Sequence, residues 1–200
     1  PEKENSFAPA LCNRLDRNTY GLIIAAKNSA SLREINSAIR DGNSHKIYHC
    51  AVVGKFPKKS EILTAYHYKD NSTNTVKISD SPIESYKPIK TGYKVILEKG
   101  DLSLTEITLY TGRTHQIRAH LSHIGVPVLG DGKYGNITAN RKYKVYFQAL
   151  CAYSIKFVFP ETSEFHYLNE VELRSPLPEF EKKLFGINSA DQFYDGDYPL

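Results

Sequence analysis

The distribution of apolar residues along the 200-residue chain predicts an α+β fold. Three observations carry that prediction. Runs of β-branched and aromatic residues recur along the chain, as in KIYHCAVVGK and DLSLTEITLY. Only two segments repeat apolar residues at helical spacing. Turn-forming residues separate the runs, with no internal repeat and no low-complexity tract. Many strands and few helices indicate segregated elements rather than a βαβ alternation.

The elements follow in order. Residues 1–7 (PEKENSF) are polar and expected to be loose. Residues 22–26 predict a short buried strand between Gly21 and Lys27-Asn28. Ser31 and Glu34 have capping-box spacing, and Leu32, Ile35 and Ile39 share a face, so 31–41 predicts a helix closed by Gly42. Residues 46–55 predict a strand and 57–60 (PKKS) a loop. Further strands are expected at 64–68, 76–78 and 92–97. Gly100-Asp101 marks a hairpin tip leading into a strand over 102–110, which Gly112 ends. Thr114 is placed to cap a helix to about Ile124, with Ile117, Leu121 and Ile124 on one face and Gly125 as its stop. A strand is expected at 152–159, and a polar tail after Pro176.

Composition bounds the function. With 26 Lys+Arg against 22 Asp+Glu the net charge is +4, which permits a nucleic-acid partner without arguing for one. Cys12, Cys50 and Cys151 are widely spaced, with no CxxC pair, so neither a zinc site nor a disulfide framework is indicated. Scattered thiols suit a reducing compartment such as the cytoplasm. No apolar run approaches twenty residues, so no membrane span is predicted. The first residue is Pro1, which suggests a processed or truncated piece.

Four stretches carry possible chemistry. In CNRLDRNTYGL, Asp16 lies between Arg14 and Arg17, either as an exposed ion pair of little worth or as a carboxylate tuned by cations. In TGRTHQIRAH, Arg113, His115, Gln116 and Arg118 crowd a helix start, where free N–H groups and the dipole already favour anions. Arginine there opposes the dipole and wants another reason to be present. His120 and His123 share a helical face, but no Cys, Asp or Glu nearby completes a metal set, so no metal site is assigned. In GVPVLGDGKYG, Asp131, Lys133 and Tyr134 read first as a structural turn and second as a ligand rim. Tyr48, in an apolar strand, reads as core, or as a ring face for stacking on a base.

Taken together, these stretches resemble the pseudouridine synthases of the ribosomal large-subunit type, the RluA family. An R-L-D-x-x-T-x-G-L signature appears at 14–22, and Lys46, Tyr48 and Gly54 match a K-x-Y-x-A-x-x-x-G strand, with Cys50 at the usual alanine. G-R-T-H-Q-I-R-x-H-L is whole at 112–121, and G-x-P-x-x-G-D-x-x-Y-G at 125–135. Q-A-L-x-A-Y (148–153) and P-L-P (176–178) complete the order. Several long motifs in one order are not an accident of composition. Asn13, Tyr20 and Cys151 replace a common histidine, serine and histidine. The family's lysine-proline strand segment and its S4-type RNA-binding domain have no counterpart ahead of Asp16, so the piece is expected to lack part of its sheet and of its RNA grip.

The resemblance implies the family's fold, a mostly antiparallel curved central sheet flanked by helices and loops. It divides the chain into a flexible segment at 1–10, a catalytic domain at 11–185 and a polar tail at 186–200. It implies isomerisation of uridine in ribosomal or transfer RNA, with no metal and no organic cofactor; the sequence gives no oligomeric state, and a monomer is the expectation. Asp16 matches the catalytic aspartate, acting as a nucleophile or stabilising positive charge on the ribose. Nearby cations would favour its ionised form. Arg118 is expected as its charge partner, with Arg14 and Arg17 as alternatives or phosphate contacts. Tyr48 matches the active-site tyrosine, stacking on the base and taking the C5 proton. Arg14, Arg17, Arg113, His115, Gln116 and Lys133 are the expected substrate contacts for a flipped uridine. The rival readings are an inactive RNA-binding member of the fold and a carboxylate hydrolase, which would want a second acid or a metal.

Overall fold

The computed structural model describes residues 7–169 and 171–189. In chain order the elements are β1 (Ala10–Leu11), β2 (Tyr20–Gly21), β3 (Ala25–Ala26), α1 (Ser29–Arg40), β4 (Ser44–Val53), β5 (Ser60–Asp70), β6 (Thr75–Ser79), β7 (Lys87–Lys99), β8 (Leu102–Leu109), α2 (Gln116–His123), α3 (Ile137–Tyr143), β9 (Leu150–Phe157) and β10 (Glu172–Arg174). Strands β10-β9-β4-β8-β7-β5-β6 form one sheet in that order. Every pair along that path is antiparallel, and β2 joins it parallel to β9. The α+β fold expected from the strand-rich pattern is what the chain adopts.

Alternation along β4 sends its residues into two cores. Cys50 and Val52 pack with Ile107 and with Ile117 and Leu121 of α2 on one face. Ala51 packs with Leu104, Phe180, Phe185 and Ile187 on the other. On one side of the sheet α1 sets Ile35 and Ala38 against Ile155 and Phe157 of β9. The face under α2 carries the site described below. Among the described residues, no helix is long and apolar enough to cross a membrane.

Several boundaries differ from expectation, each for a local reason. The strand expected at 22–26 reduces to β3, with the short β2 just ahead of it, because Leu22 still donates to Ala152 O of β9 while Ile24 already accepts from Cys12. Asn28, not Ser31, caps α1: its side chain accepts the Ser31 N–H at 2.8 Å. Glu34 instead accepts the Ser163 hydroxyl. Thr114 does not cap α2; its carbonyl is hydrogen-bonded to His67 Nε2 at 2.9 Å, and His115 turns the chain in at φ 52°. Helix α3 went unpredicted because its seven residues are too short and polar to display a period, although Asn136 caps it at Ala139 N–H (3.0 Å). The chain after Pro176 is not simply polar surface: Phe180, Phe185 and Ile187 are buried. Residues 190–200 of the expected tail lie outside the described residues, as do positions 1–6.

One buried group couples this fold to pH. His120 on α2 is 1% exposed and hydrogen-bonds the Thr91 hydroxyl at 3.1 Å. Burial, with a smaller push from His123, brings its pKa down to about 4. The unfolded chain therefore takes up a proton near pH 6.5 that the native state refuses. Stability is whole above that pH and falls as pH drops toward about 4, by about 3 kcal/mol for this shift. Buried His49, also shifted down by desolvation, acts in the same direction. Urea unfolding at about pH 7.5 and about pH 4.5 should show the loss, and His120→Gln should reduce the difference.

Candidate active site

The loop bearing Asp16 is closed at its base by backbone pairing. Strands β1 and β3 pair Ala10 with Ala26 and Leu11 with Ala25, and Cys12 N–H donates to Ile24 O at 2.8 Å. Asn13 bridges the loop, donating from Nδ2 to Leu22 O (3.4 Å) and accepting the Ile24 N–H (2.8 Å). Asp16 starts a tight turn: its carbonyl accepts the Thr19 N–H at 3.0 Å, with Asn18 at φ 69°. Gly21 then lies against β9 at φ 113°, where a Cβ would come within 2.3 Å of Ala152 O. Only glycine fits that contact, and it fixes where the loop rejoins the sheet.

Asp16 meets Arg118 across the fold, Oδ2 to Nη1 at 3.2 Å. Arg118 is held from behind by Asp131, through Nε–Oδ2 at 2.7 Å and Nη2–Oδ1 at 3.0 Å. Asp131, fully buried, also accepts the N–H groups of Lys133 (2.8 Å) and Tyr134 (3.0 Å). Burial pushes its carboxyl up, but Arg118 and those two N–H groups outweigh that and hold it below the usual carboxylate range. Arg118 likewise pays for burial, and its two carboxylates more than compensate, raising its pKa. The Tyr134 ring sits 5.3 Å from the guanidinium. Its hydroxyl accepts the Val76 N–H and hydrogen-bonds His115 Nδ1, both at 2.9 Å.

Asp16 opens onto a cleft of about 290 Å³ that Tyr48, His115 and Ile117 also line. Tyr48 lies on β4 where the register with β9 slips: Ile47 faces Ser154, and Tyr48 faces Ala152. The extra residue, Tyr153, is on β9, so β4 keeps its alternation through Tyr48. Burial first, then the Asp16 charge, push the Tyr48 hydroxyl up to about 12. Of the lining residues Asp16 is the one acid, against Arg14, Lys46 and Arg113.

The expected site residues thus divide. Asp16 and Tyr48 share the cleft, and Arg118, 6% exposed, stands behind Asp16 rather than on the wall. Arg14, Arg113 and His115 line the cleft. Gln116 lines it too, but its amide is engaged inside the protein: Oε1 accepts from the Thr111 hydroxyl (2.9 Å) and Arg113 N–H (3.0 Å), and Nε2 donates to the Thr91 hydroxyl (2.9 Å) and Lys90 O (3.2 Å). It fixes the 111–116 loop to β7. Arg17 is exposed and off the cleft wall, and Lys133 donates to Asn74 O in the β5–β6 turn. Asp131, read first as part of a structural turn, is the Arg118 partner that the sequence left unassigned; its signal was an acid in an otherwise intact GDGKYG turn.

The chain is similar to known proteins along most of its length. A family profile described as RNA pseudouridylate synthase matches residues 1–123. An uncharacterized RNA pseudouridine synthase of Mycoplasma genitalium is 37% identical over 171 residues, covering 84% of this chain and 53% of the relative. The ribosomal large subunit pseudouridine synthase D of Borreliella burgdorferi is 33% identical over 139 residues, covering 70% of this chain and 42% of that protein. The chain spans about half the length of the curated relatives it matches. Among solved structures, Human RNA Pseudouridylate Synthase Domain Containing 1 superposes with a TM-score of 0.73 at 25% identity, covering 92% of this chain and 78% of the other.

Proposed function

The chain belongs to the RNA pseudouridylate synthase family, and on that premise we propose that it isomerises uridine in RNA to pseudouridine. One observation carries the proposal: a single carboxylate in the cleft, Asp16, is held at 3.2 Å by an arginine that is itself locked from behind, with Tyr48 beside it. A hydrolase of sugars or phosphoesters would want a second acid or a metal. The cleft lining offers one acid.

The reaction is a rearrangement that balances without an oxidant or a cofactor. The N1–C1′ bond breaks, the uracil turns, and a C5–C1′ bond forms. The C5 proton leaves and N1 ends protonated. Asp16, ionised, attacks as nucleophile or stabilises charge on the ribose. Arg118 acts through Asp16, fixing its carboxylate direction. Tyr48 stacks on the uracil, and its hydroxyl, protonated at neutral pH, relays the C5 proton, accepting it as its own O–H proton leaves to water. Gln116 contributes by holding the loop that presents Arg113 and His115. The uridine must leave its stack to reach Asp16, at a cost of a few kcal/mol that is smallest in loops.

Large-subunit ribosomal RNA is the substrate favoured here, supported by the names of the Borreliella relative and of the Vibrio parahaemolyticus ribosomal large subunit pseudouridine synthase C, 28% identical; transfer RNA is the competitor. Free thiols at Cys12, Cys50 and Cys151 suit a cytoplasmic enzyme.

The test is tritium release from RNA carrying 5-tritiated uridine, using unmodified ribosomal and transfer RNA in parallel. Release from one class identifies the substrate; none from either, with RNA still bound, leaves only a binding protein. Tyr48→Phe keeps the ring and loses the hydroxyl. It is expected to retain RNA affinity and slow release about 10²-fold or more. Full turnover would remove the proton-transfer role.

A further inference from the structure

One cation of the cleft is left over by this mechanism. Lys46 lines the cleft, half-buried, and among the described residues neither an ion pair nor a hydrogen bond engages its ammonium. Burial lowers its pKa, and no carboxylate opposes that. Other lysines near carboxylates are neutralised: Lys58 by Glu61, Lys59 by Glu98 and Lys142 by Asp101. An unpaired, partly desolvated ammonium is costly unless a ligand supplies the counter-charge.

The position says which ligand. Lys46 and Tyr48 are two residues apart on β4, so both side chains leave the same face, about 6.7 Å apart along the strand. The pairing with β8 runs unbroken through Ile47, Tyr48 and His49, so the register slip toward β9 does not disturb that alternation. With a uracil on the Tyr48 ring, a lysine rooted that far along the strand and lining the same cleft has the reach to pass the base edge to the sugar–phosphate chain. Arg14 also lines the cleft, and Asp16 is already committed to Arg118.

We infer that Lys46 binds a phosphate flanking the target uridine and so holds the extruded nucleotide by its backbone while Asp16 and Tyr48 engage its sugar and base. This inference rests on the RNA-modifying function proposed above. It gives the lysine a backbone-positioning role, without base readout.

The experiment is binding of a short single-stranded oligouridylate as a function of salt. Lys46→Met keeps the apolar stem and removes the charge. It is expected to weaken binding about tenfold and to reduce the slope of log K against log salt by about 0.7. Lys46→Arg should restore most of both. Lys182→Met, on the segment packed behind the sheet, should change neither. On the wild-type chain, neutral methylphosphonates on either side of the single uridine of an oligonucleotide should weaken binding, and should add nothing to Lys46→Met. That arm does not depend on how any variant folds.

An unchanged salt slope in Lys46→Met overturns the inference: with affinity also lost, the ammonium contacts a neutral base atom. Equal loss in Lys46→Met and Lys46→Arg overturns it as well, in favour of a packing role. Tritium release separates the two levels. Turnover with no Lys46-dependent slope defeats the phosphate contact alone. A Lys46-dependent slope without turnover on any RNA defeats the synthase and leaves the contact standing.

Discussion

Asp16→Asn is expected to abolish tritium release, by about 10³-fold or more, while RNA binding and the melting temperature stay close to wild type. The two carboxamide atoms occupy the space of the carboxylate, so the turn at Thr19 N–H and the Asn13 bridge are untouched. Arg118 keeps both hydrogen bonds to Asp131 and meets a neutral amide oxygen in place of the Asp16 carboxylate at 3.2 Å. What disappears is the negative charge, and with it both the nucleophile and the stabilisation of positive charge at C1′. A loss of that size corresponds to about 4 kcal/mol of transition-state stabilisation. Were Asp16 merely one end of an ion pair, the outcome would reverse, with turnover retained and stability reduced. Measuring release under saturating RNA alongside a urea melt distinguishes the two.

How much of this was legible in the sequence depends on the range of the interaction. Strands β4 through β8 were readable because alternation and the Gly100-Asp101 turn are local signals, and the observed strands mostly extend the predicted ones by a few residues. The pairing of Asp16 with Arg118 was expected only through the motif resemblance, since the two are 102 residues apart. Residue types alone offered Arg14 and Arg17 equally, and the fold leaves both exposed. Gln116 looked like a substrate contact because it stands with Arg113 and Arg118 at a helix start that favours anions. In the folded chain it is 2% exposed, cross-linking α2 to β7. Lys46 was part of a matched motif yet carried no role, because nothing in a sequence reveals that a lysine lacks a carboxylate partner. The C-terminal burial of Phe180 and Glu181 was hidden for the same reason: Glu181 meets His49 from 132 residues away, at 2.7 Å.

Asp131 lies one step further from the chemistry, and its removal is expected to be the most damaging to the fold. Asp131→Ala leaves the Nε and Nη2 groups of Arg118 and the N–H groups of Lys133 and Tyr134 without their acceptor, in a place that is fully buried. Breaking a buried pair from one side typically costs about 3–5 kcal/mol, because the remaining charge is stranded. Asp131→Asn should be milder in stability but still harmful. Its amide oxygen can accept from Arg118, while its NH2 group confronts donors it cannot satisfy. Arg118 then loses its two-point support and turns with Asp16, so turnover should fall about 10–100-fold with RNA affinity nearly unchanged. Arg118→Lys makes the complementary test, since an ammonium cannot bridge two carboxylates through a planar fork. Its turnover should fall in the same range, and combining it with Asp131→Asn should cost less than the sum of the two single losses. Additive losses, or an Asp131→Asn variant with wild-type turnover, would mean that Asp131 anchors only the turn and that Asp16 is aimed by its own loop.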